Sequence, residues 1–247
     1  MKFNANKSVV MTVTNKNKPL DNKYYLKNML PVQCLAKKNS IKYLGVTIVN
    51  RLTFKDFIQE KCHNATKVLN MLRRNLHFAP KAVKSKAYLS SVRPIIEYAS
   101  TCWNPTSDKM NRAIESVQHK AAKFVTNTYP RKDKYHEFSV SKLIEELGWE
   151  TLEDRRNNAK LSMIYKIRNS CVIIEPDTVP SATKKKTARK CNEKKVGTQN
   201  ELFEPPTQII NSGKTFFYMG PRLWNNLVTP AQADAPSLEA FQKELLL

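Results

Sequence analysis

The sequence is poor in carboxylates: 21 Asp and Glu stand against 42 Lys and Arg, a net charge of +21 at pH 7. Such an excess repels itself in the free protein and favours a polyanionic partner, nucleic acid most simply, with a basic membrane-surface protein sharing the same balance. Glycine is scarce too, at five residues, and there is no GxxxxGK[ST] loop, GxSxG elbow or HExxH, so no phosphate cradle or familiar hydrolase site is visible. The five cysteines, Cys34, Cys62, Cys102, Cys171 and Cys191, are odd in number and never form CxxC. That spacing argues against a zinc knuckle and a disulfide framework, and the thiols read as reduced. His63, His77, His119 and His136 add no metal-ligand spacing. No apolar run reaches the roughly 20 residues that cross a bilayer, and the opening MKFNANKS lacks the apolar segment of a signal peptide. The expectation is an intracellular protein, cytoplasmic or nuclear, with no membrane partner.

What is present is enough for a core, with 41% hydrophobic residues in a chain of 247. The pattern predicts an α+β fold: a small N-terminal antiparallel β segment followed by a mainly α-helical bundle. Residues 8–14, followed by the turn-forming stretch 15–19, read as a hairpin. Residues 41–48 read as one strand with Leu44, Val46 and Ile48 on one face and Gly45 permitting close approach to the main chain. From Thr53 the period becomes helical: Ile58, Cys62, Ala65, Leu69, Leu72 and Leu76 form a stripe, with Thr53 and Asp56 as a capping box. A second helix from Pro80 carries Val83, Ala87, Val92, Ile95 and Ala99, with Pro94 as a kink or break. The third, after Ser107, turns Ile114, Val117, Ala121 and Phe124 inward and keeps Lys109, Arg112, Lys120 and Lys123 outside. Two more helices follow, one over 141–147 stopped by Gly148, the other capped by Thr151 with Asp154 and running through Leu161, Ile164 and Tyr165. The basic run 184–190 reads as a flexible linker, and 237–246 as a short final helix.

A polymerase or nuclease needs carboxylates clustered around divalent metal, because the ions stabilise both the attacking and the leaving oxygen. The acidic pairs here, Glu145-Glu146 and Glu153-Asp154, lie in helical stretches beside basic residues and read as solvated faces or caps. No catalytic or metal site is expected from them. Lys and Arg can instead neutralise phosphates while aromatics stack on bases. Arg73, Arg74, Lys81, Lys84, Lys120, Lys123, Arg155 and Arg156 are therefore the candidate nucleic-acid contacts, against the competing reading of solvated helix faces. Trp103, Trp149 and Trp224 read as core.

The order of several segments resembles the region after the catalytic centre of non-LTR (LINE-type, Jockey/CR1-like) retrotransposon reverse transcriptases. Residues 1–7 (MKFNANK) are similar to that family's FN..K segment, and 42–48 (KYLGVTI) to its KYLGV strand. Residues 92–105 carry a match to VRP.LEYAS..W.P, and 115–123 a match to E.VQ..AA. Leu147-Gly148-Trp149 with Leu152 and Arg155-Arg156, then Arg222-Leu223-Trp224-Asn225, resemble the LGW..L..RR and RLWN endings. The resemblance implies a strand-rich palm remnant over 1–50, a helical thumb-like domain over 51–175, a basic linker over 176–200 and a C-terminal extension over 201–247. It implies a primer-grip-like role for Tyr43, Leu44, Gly45 and Val46, and makes Lys7 a candidate proton donor to departing pyrophosphate.

The family's catalytic aspartate motif has no counterpart, since no [FY]xDD occurs in the chain. Mg2+ is expected only for the complete family enzyme, and no cofactor for this polypeptide. The expectation is a fragment of an RNA-directed DNA polymerase that is no enzyme on its own but retains binding to RNA, DNA or their hybrid. An inert or protein-binding helical remnant of a decayed element is the alternative, and a gene-model break with the enzyme continuing upstream is a third.

Overall fold

A computed structural model describes residues 8–14, 22–25, 34–105, 107–129, 139–172, 202 and 216–246; Lys7, the turn 15–19 and the linker 176–200 lie outside them. The fold is α+β, with a small β segment at the N-terminal end followed by helices.

Helix α1 (Lys55–Asn75) forms on the expected stripe and buries Phe57, Ile58, Ala65, Leu69 and Leu72. Its start differs from expectation. Phe54 occupies the cap position without a side-chain cap bond, so the Thr53–Asp56 box does not form. Phe54 is instead buried, 4% exposed, and its burial decides where the chain turns into the helix. Helices α2 (Lys81–Ser91) and α3 (Arg93–Glu97) are separated at Val92, with Pro94 near the start of α3. Proline has no N–H to give the carbonyl of Ser90 and its ring crowds that carbonyl, so the break falls where expected.

Helix α4 (Asp108–Thr126) buries Ile114, Val117, Ala121 and Phe124 as predicted, and ends on Asn127 in the left-handed conformation. Helix α5 (Val140–Glu146) stops before Gly148, whose φ is +63°. Helix α6 (Leu152–Arg168) begins on Thr151, whose hydroxyl accepts the Asp154 N–H at 3.0 Å. Glu115 of α4 reinforces this end by accepting the N–H groups of Leu152 and Glu153 at 3.4 and 3.0 Å. Such acceptors satisfy the first-turn amides that no helix can satisfy itself.

Phe57 meets Trp103 edge-on near the start of α1, and Arg73 lies over Tyr129 near its end, just past the end of α4. α1 and α4 thus run in the same direction, with α2 and α3 as the return between them. Their shared core includes Tyr88, Val92, Ile96, Trp103 and Leu152. Tyr88 stacks on Trp149 at 4.6 Å and donates its hydroxyl to Gln118, whose amide donates in turn to the Glu150 carbonyl at 2.8 Å. A buried phenol is tolerated because it has this partner. Its burial also pushes the pKa of that hydroxyl up from the ordinary tyrosine value.

A second core gathers Leu161, Ile164 and Tyr165 from the far half of α6 with Trp224 of α7 (Phe216–Leu227), Ala233 of α8 (Pro230–Ala233), and Phe241 of α9 (Leu238–Glu244). Phe241 stacks between Tyr165 and Trp224 at 4.6 and 5.6 Å. The tryptophans Trp103 and Trp224 are core residues, each 1% exposed, and Trp149 packs against the first core.

The β segment departs most from expectation. Residues 8–14 contribute only β1 (Val9–Val10), which pairs in parallel with β2 (Ala36–Lys37). The stretch 41–48 is not one strand but a hairpin, β3 (Ser40–Tyr43) against β4 (Val46–Val49), antiparallel with Tyr43 opposite Val46. Leu44 and Gly45 form the turn with φ of 45° and 78°, the two positive values that a type I′ turn requires. The turn reverses the strand, so Leu44 is 76% exposed while Val46 is 8% exposed and joins the first core.

Candidate nucleic-acid interface

Charge is distributed unevenly along the helices. From Lys61 through Ile96 the sequence contains no Asp or Glu, while Lys61, Lys67, Arg73, Arg74, Lys81, Lys84, Lys86 and Arg93 all fall within it. On α4 the carboxylate of Glu115 is turned toward the start of α6, and Lys109, Arg112 and Lys120 are exposed. On the water-facing sides of α1 and α4 the exposed Lys55, Lys67, Arg73, Arg74, Lys109, Arg112 and Lys120 outnumber the exposed Asp56, Glu60 and Asp108.

Arg73 and Arg74 stand exposed in the last turn of α1, where the helix dipole also favours positive charge. They border a groove of about 500 Å3 together with Asn70, His77, Phe124, Asn127 and Tyr129. Arg73 Nη2 donates to the Tyr129 hydroxyl at 3.4 Å, with the guanidinium 5.7 Å from the ring centre. Phe78, next to His77, is 97% exposed, and its ring meets that of His77 at 4.8 Å. His77, Phe78, Asn127 and Tyr129 are not among the sequence candidates. The signal that could have found His77 and Phe78 is a pair of aromatics in the loop shortly after Arg73-Arg74, whereas Asn127 and Tyr129 join them only through packing of α4 beside α1.

Most of the other expected contacts are committed elsewhere. Lys84 is 3% exposed, 3.5 Å from Asn127 Oδ1 and over the Phe124 ring at 5.3 Å. Lys81 pairs with Glu146 at 2.5 Å. Lys120 is exposed and Lys123 half-buried on α4. Arg155 is held by Glu97 and by Glu150 at 3.1 Å; the Glu97 hydrogen bond keeps its guanidinium even more firmly protonated than usual. Arg156 is 2% exposed, 5.8 Å over the Trp103 ring, with Nη2 donating to Asn111 Oδ1 at 2.8 Å. Burial lowers its pKa, against the opposing pull of Glu115 and Glu153. The Arg155-Arg156 pair thus knits α3, α4 and α6 together: Arg156 is closed off, and Arg155, half-buried at the edge of a cavity it shares with Arg93 and Lys166, has its guanidinium already paired with carboxylates.

Lys160, one turn further along α6, is 1% exposed and donates to Asn104 Oδ1 at 2.8 Å. Burial, with the Arg156 charge acting in the same direction, pushes its ammonium down to about 8. Among the primer-grip-like residues, Tyr43 and Leu44 are exposed, Val46 is buried, and Gly45 faces the chain's own Tyr98. The Tyr98 hydroxyl donates to the Leu44 carbonyl at 2.6 Å, and a methyl group on Gly45 would stand 3.2 Å from that oxygen. The close approach expected at this glycine is made by a tyrosine of the same chain.

Of the acidic pairs, Glu146 faces Lys81, Asp154 accepts the Thr151 hydroxyl at 2.6 Å, and Glu153 accepts from Asn111 at 3.3 Å. Among the described residues no three His, Cys, Asp or Glu side chains come together as metal ligands, and no helix is long and apolar enough to cross a membrane. Compared with protein-family models, with curated proteins and with solved structures, the chain has no significant match.

Proposed function

We propose that this chain is a nucleic-acid-gripping module of the kind that follows the catalytic centre in non-LTR retrotransposon reverse transcriptases, binding primer–template without transferring nucleotides itself. The observation that carries the reading is the excess of exposed cations on α1 and α4, where Arg73, Arg74, Lys109, Arg112 and Lys120 stand on a well-packed scaffold and outnumber the exposed Asp56, Glu60 and Asp108. Packed helices fix the spacing of these charges, so that phosphates can be neutralised without the cost of ordering a loose chain. The segment order resembling the family supports the choice of primer–template among polyanions.

The test is binding of the purified chain to a labelled RNA–DNA hybrid across a salt series, with nucleotides and Mg2+ present to read primer extension. Affinity falling with a log–log slope of about −3 or steeper, without extension, is the expected result. Extension would overturn the binding-only reading, and no binding at low salt would overturn the whole of it. A protein-binding domain is the second reading, favoured by the exposed Tyr43 and Leu44 at the hairpin tip.

A further inference from the structure

Phe78 is the most exposed large apolar side chain among the described residues, at 97%. It sits in a short connection between two long helices, and its ring is braced edge-on by His77 at 4.8 Å. Beside it lies the groove bordered by Arg73, Arg74 and Tyr129, with Tyr129 50% exposed and tied to Arg73 through both its ring and its hydroxyl. The groove's volume of about 500 Å3 falls within the range of pockets that enclose a small ligand. No carboxylate lies between Glu60 and Glu97 in sequence, so the far part of α1, this connection and α2 add no negative charge to it.

We propose that this end of the bundle receives the single-stranded end of a nucleic acid. One unpaired base enters the groove against Tyr129 and the next stacks on Phe78, while Arg73 and Arg74 hold the intervening phosphate. The assignment rests on the nucleic-acid reading above and adds to it which part of the substrate is held here. Aromatic faces beside guanidinium groups suit unpaired bases because every base has a face to stack, whatever its sequence. Within a duplex those faces are covered by neighbouring pairs and only the outer face of an end pair stays open, so a blunt helix can use the arginines but cannot give two successive bases to the two aromatics. Asn70 and Asn127 line the groove with amides that both donate and accept, which fits tolerance among bases.

The test compares two RNA–DNA hybrids of the same paired sequence, one blunt and one with a single-stranded 3′ overhang, by fluorescence anisotropy at fixed salt. The overhang is expected to raise affinity about tenfold. Phe78→Ala and Tyr129→Ala should each remove most of that preference, lowering affinity for the overhang several-fold more than for the blunt hybrid, whereas Tyr129→Phe, which keeps the ring, should retain it. Unchanged thermal melting of the variants shows that they fold. Equal affinity for the two hybrids in the parent chain overturns the proposal while leaving the nucleic-acid reading intact. Variants that weaken both hybrids equally do the same. Absence of binding to either hybrid overturns the proposal together with the reading it rests on.

Discussion

Arg155 and Arg156 are neighbours in sequence, yet neither faces water as Arg73 and Arg74 do. A helix turns about 100° per residue, so adjacent residues point apart, and α6 has packed neighbours on both sides. Arg155 therefore meets the carboxylates of Glu97 and Glu150, and Arg156 meets Trp103. At the C-terminal end of α1 only one side is covered, and both arginines remain outside. The residue types are legible in the sequence; which pair is committed depends on how α6 packs, which local pattern does not reveal. Lys160 shares this fate and yields a prediction. Its folded-state pKa of about 8 lies below the usual 10.5, so the charged form is disfavoured by folding. Below pH 8 both states are protonated and the penalty is fully present. As pH rises through 8 the folded state releases its proton first, and stability gains from this residue until the unfolded chain follows near 10.5. Lys160→Met should therefore be more favourable relative to the parent at neutral pH than near pH 10, as read from urea unfolding at both. A difference that stays constant over that window would contradict a desolvated ammonium.

At the scale of elements, strong apolar periods are legible in the sequence: α4 and α6 bury the residues expected of them, and α1 does so for Ile58, Ala65, Leu69 and Leu72, with Cys62 and Leu76 half-buried. Weaker signals mislead. In α2 the inward face is that of Lys84 and Tyr88, with Val83 46% exposed, because contact with the end of α4 outweighs a sparse local pattern. The hairpin of β3 and β4 is hidden by its turn, since leucine is an uncommon residue at positive φ and gives no turn signal beside Gly45. Helix α7 is hidden as well, because Gly220 and Pro221 at its middle read as breakers. Gly220 has a packing reason: a methyl group there would stand 2.5 Å from Ile164 Cδ1 on α6. Gly220→Ala should destabilise the second core by about 1–3 kcal/mol through overpacking, less the roughly 0.5–1 kcal/mol that alanine gains in a helix. Combining it with Ile164→Val, which deletes the obstructing atom, should make the alanine substitution neutral or favourable. Thermal unfolding of the four proteins in that cycle checks it, and equal costs in both backgrounds would contradict the close approach.

At the scale of the molecule, composition and pattern carry the α+β class and the cationic character, while the arrangement of charge emerges only from packing. The excess of 21 positive charges is not spread evenly. Several acidic residues are drawn into caps and ion pairs, as with Glu115, Glu97 and Glu150, and although Asp56, Glu60 and Asp108 stay exposed on α1 and α4, the exposed cations there outnumber them. The most direct test of this account is the salt dependence of hybrid binding for two variants. Replacing Arg73, Arg74 and Lys120 together by Gln should flatten the log–log slope by about 2–3, near 0.9 for each phosphate no longer neutralised. Arg155→Gln should lower stability and leave the slope unchanged. An unaltered slope in the triple variant, or a slope flattened by Arg155→Gln alone, would contradict it.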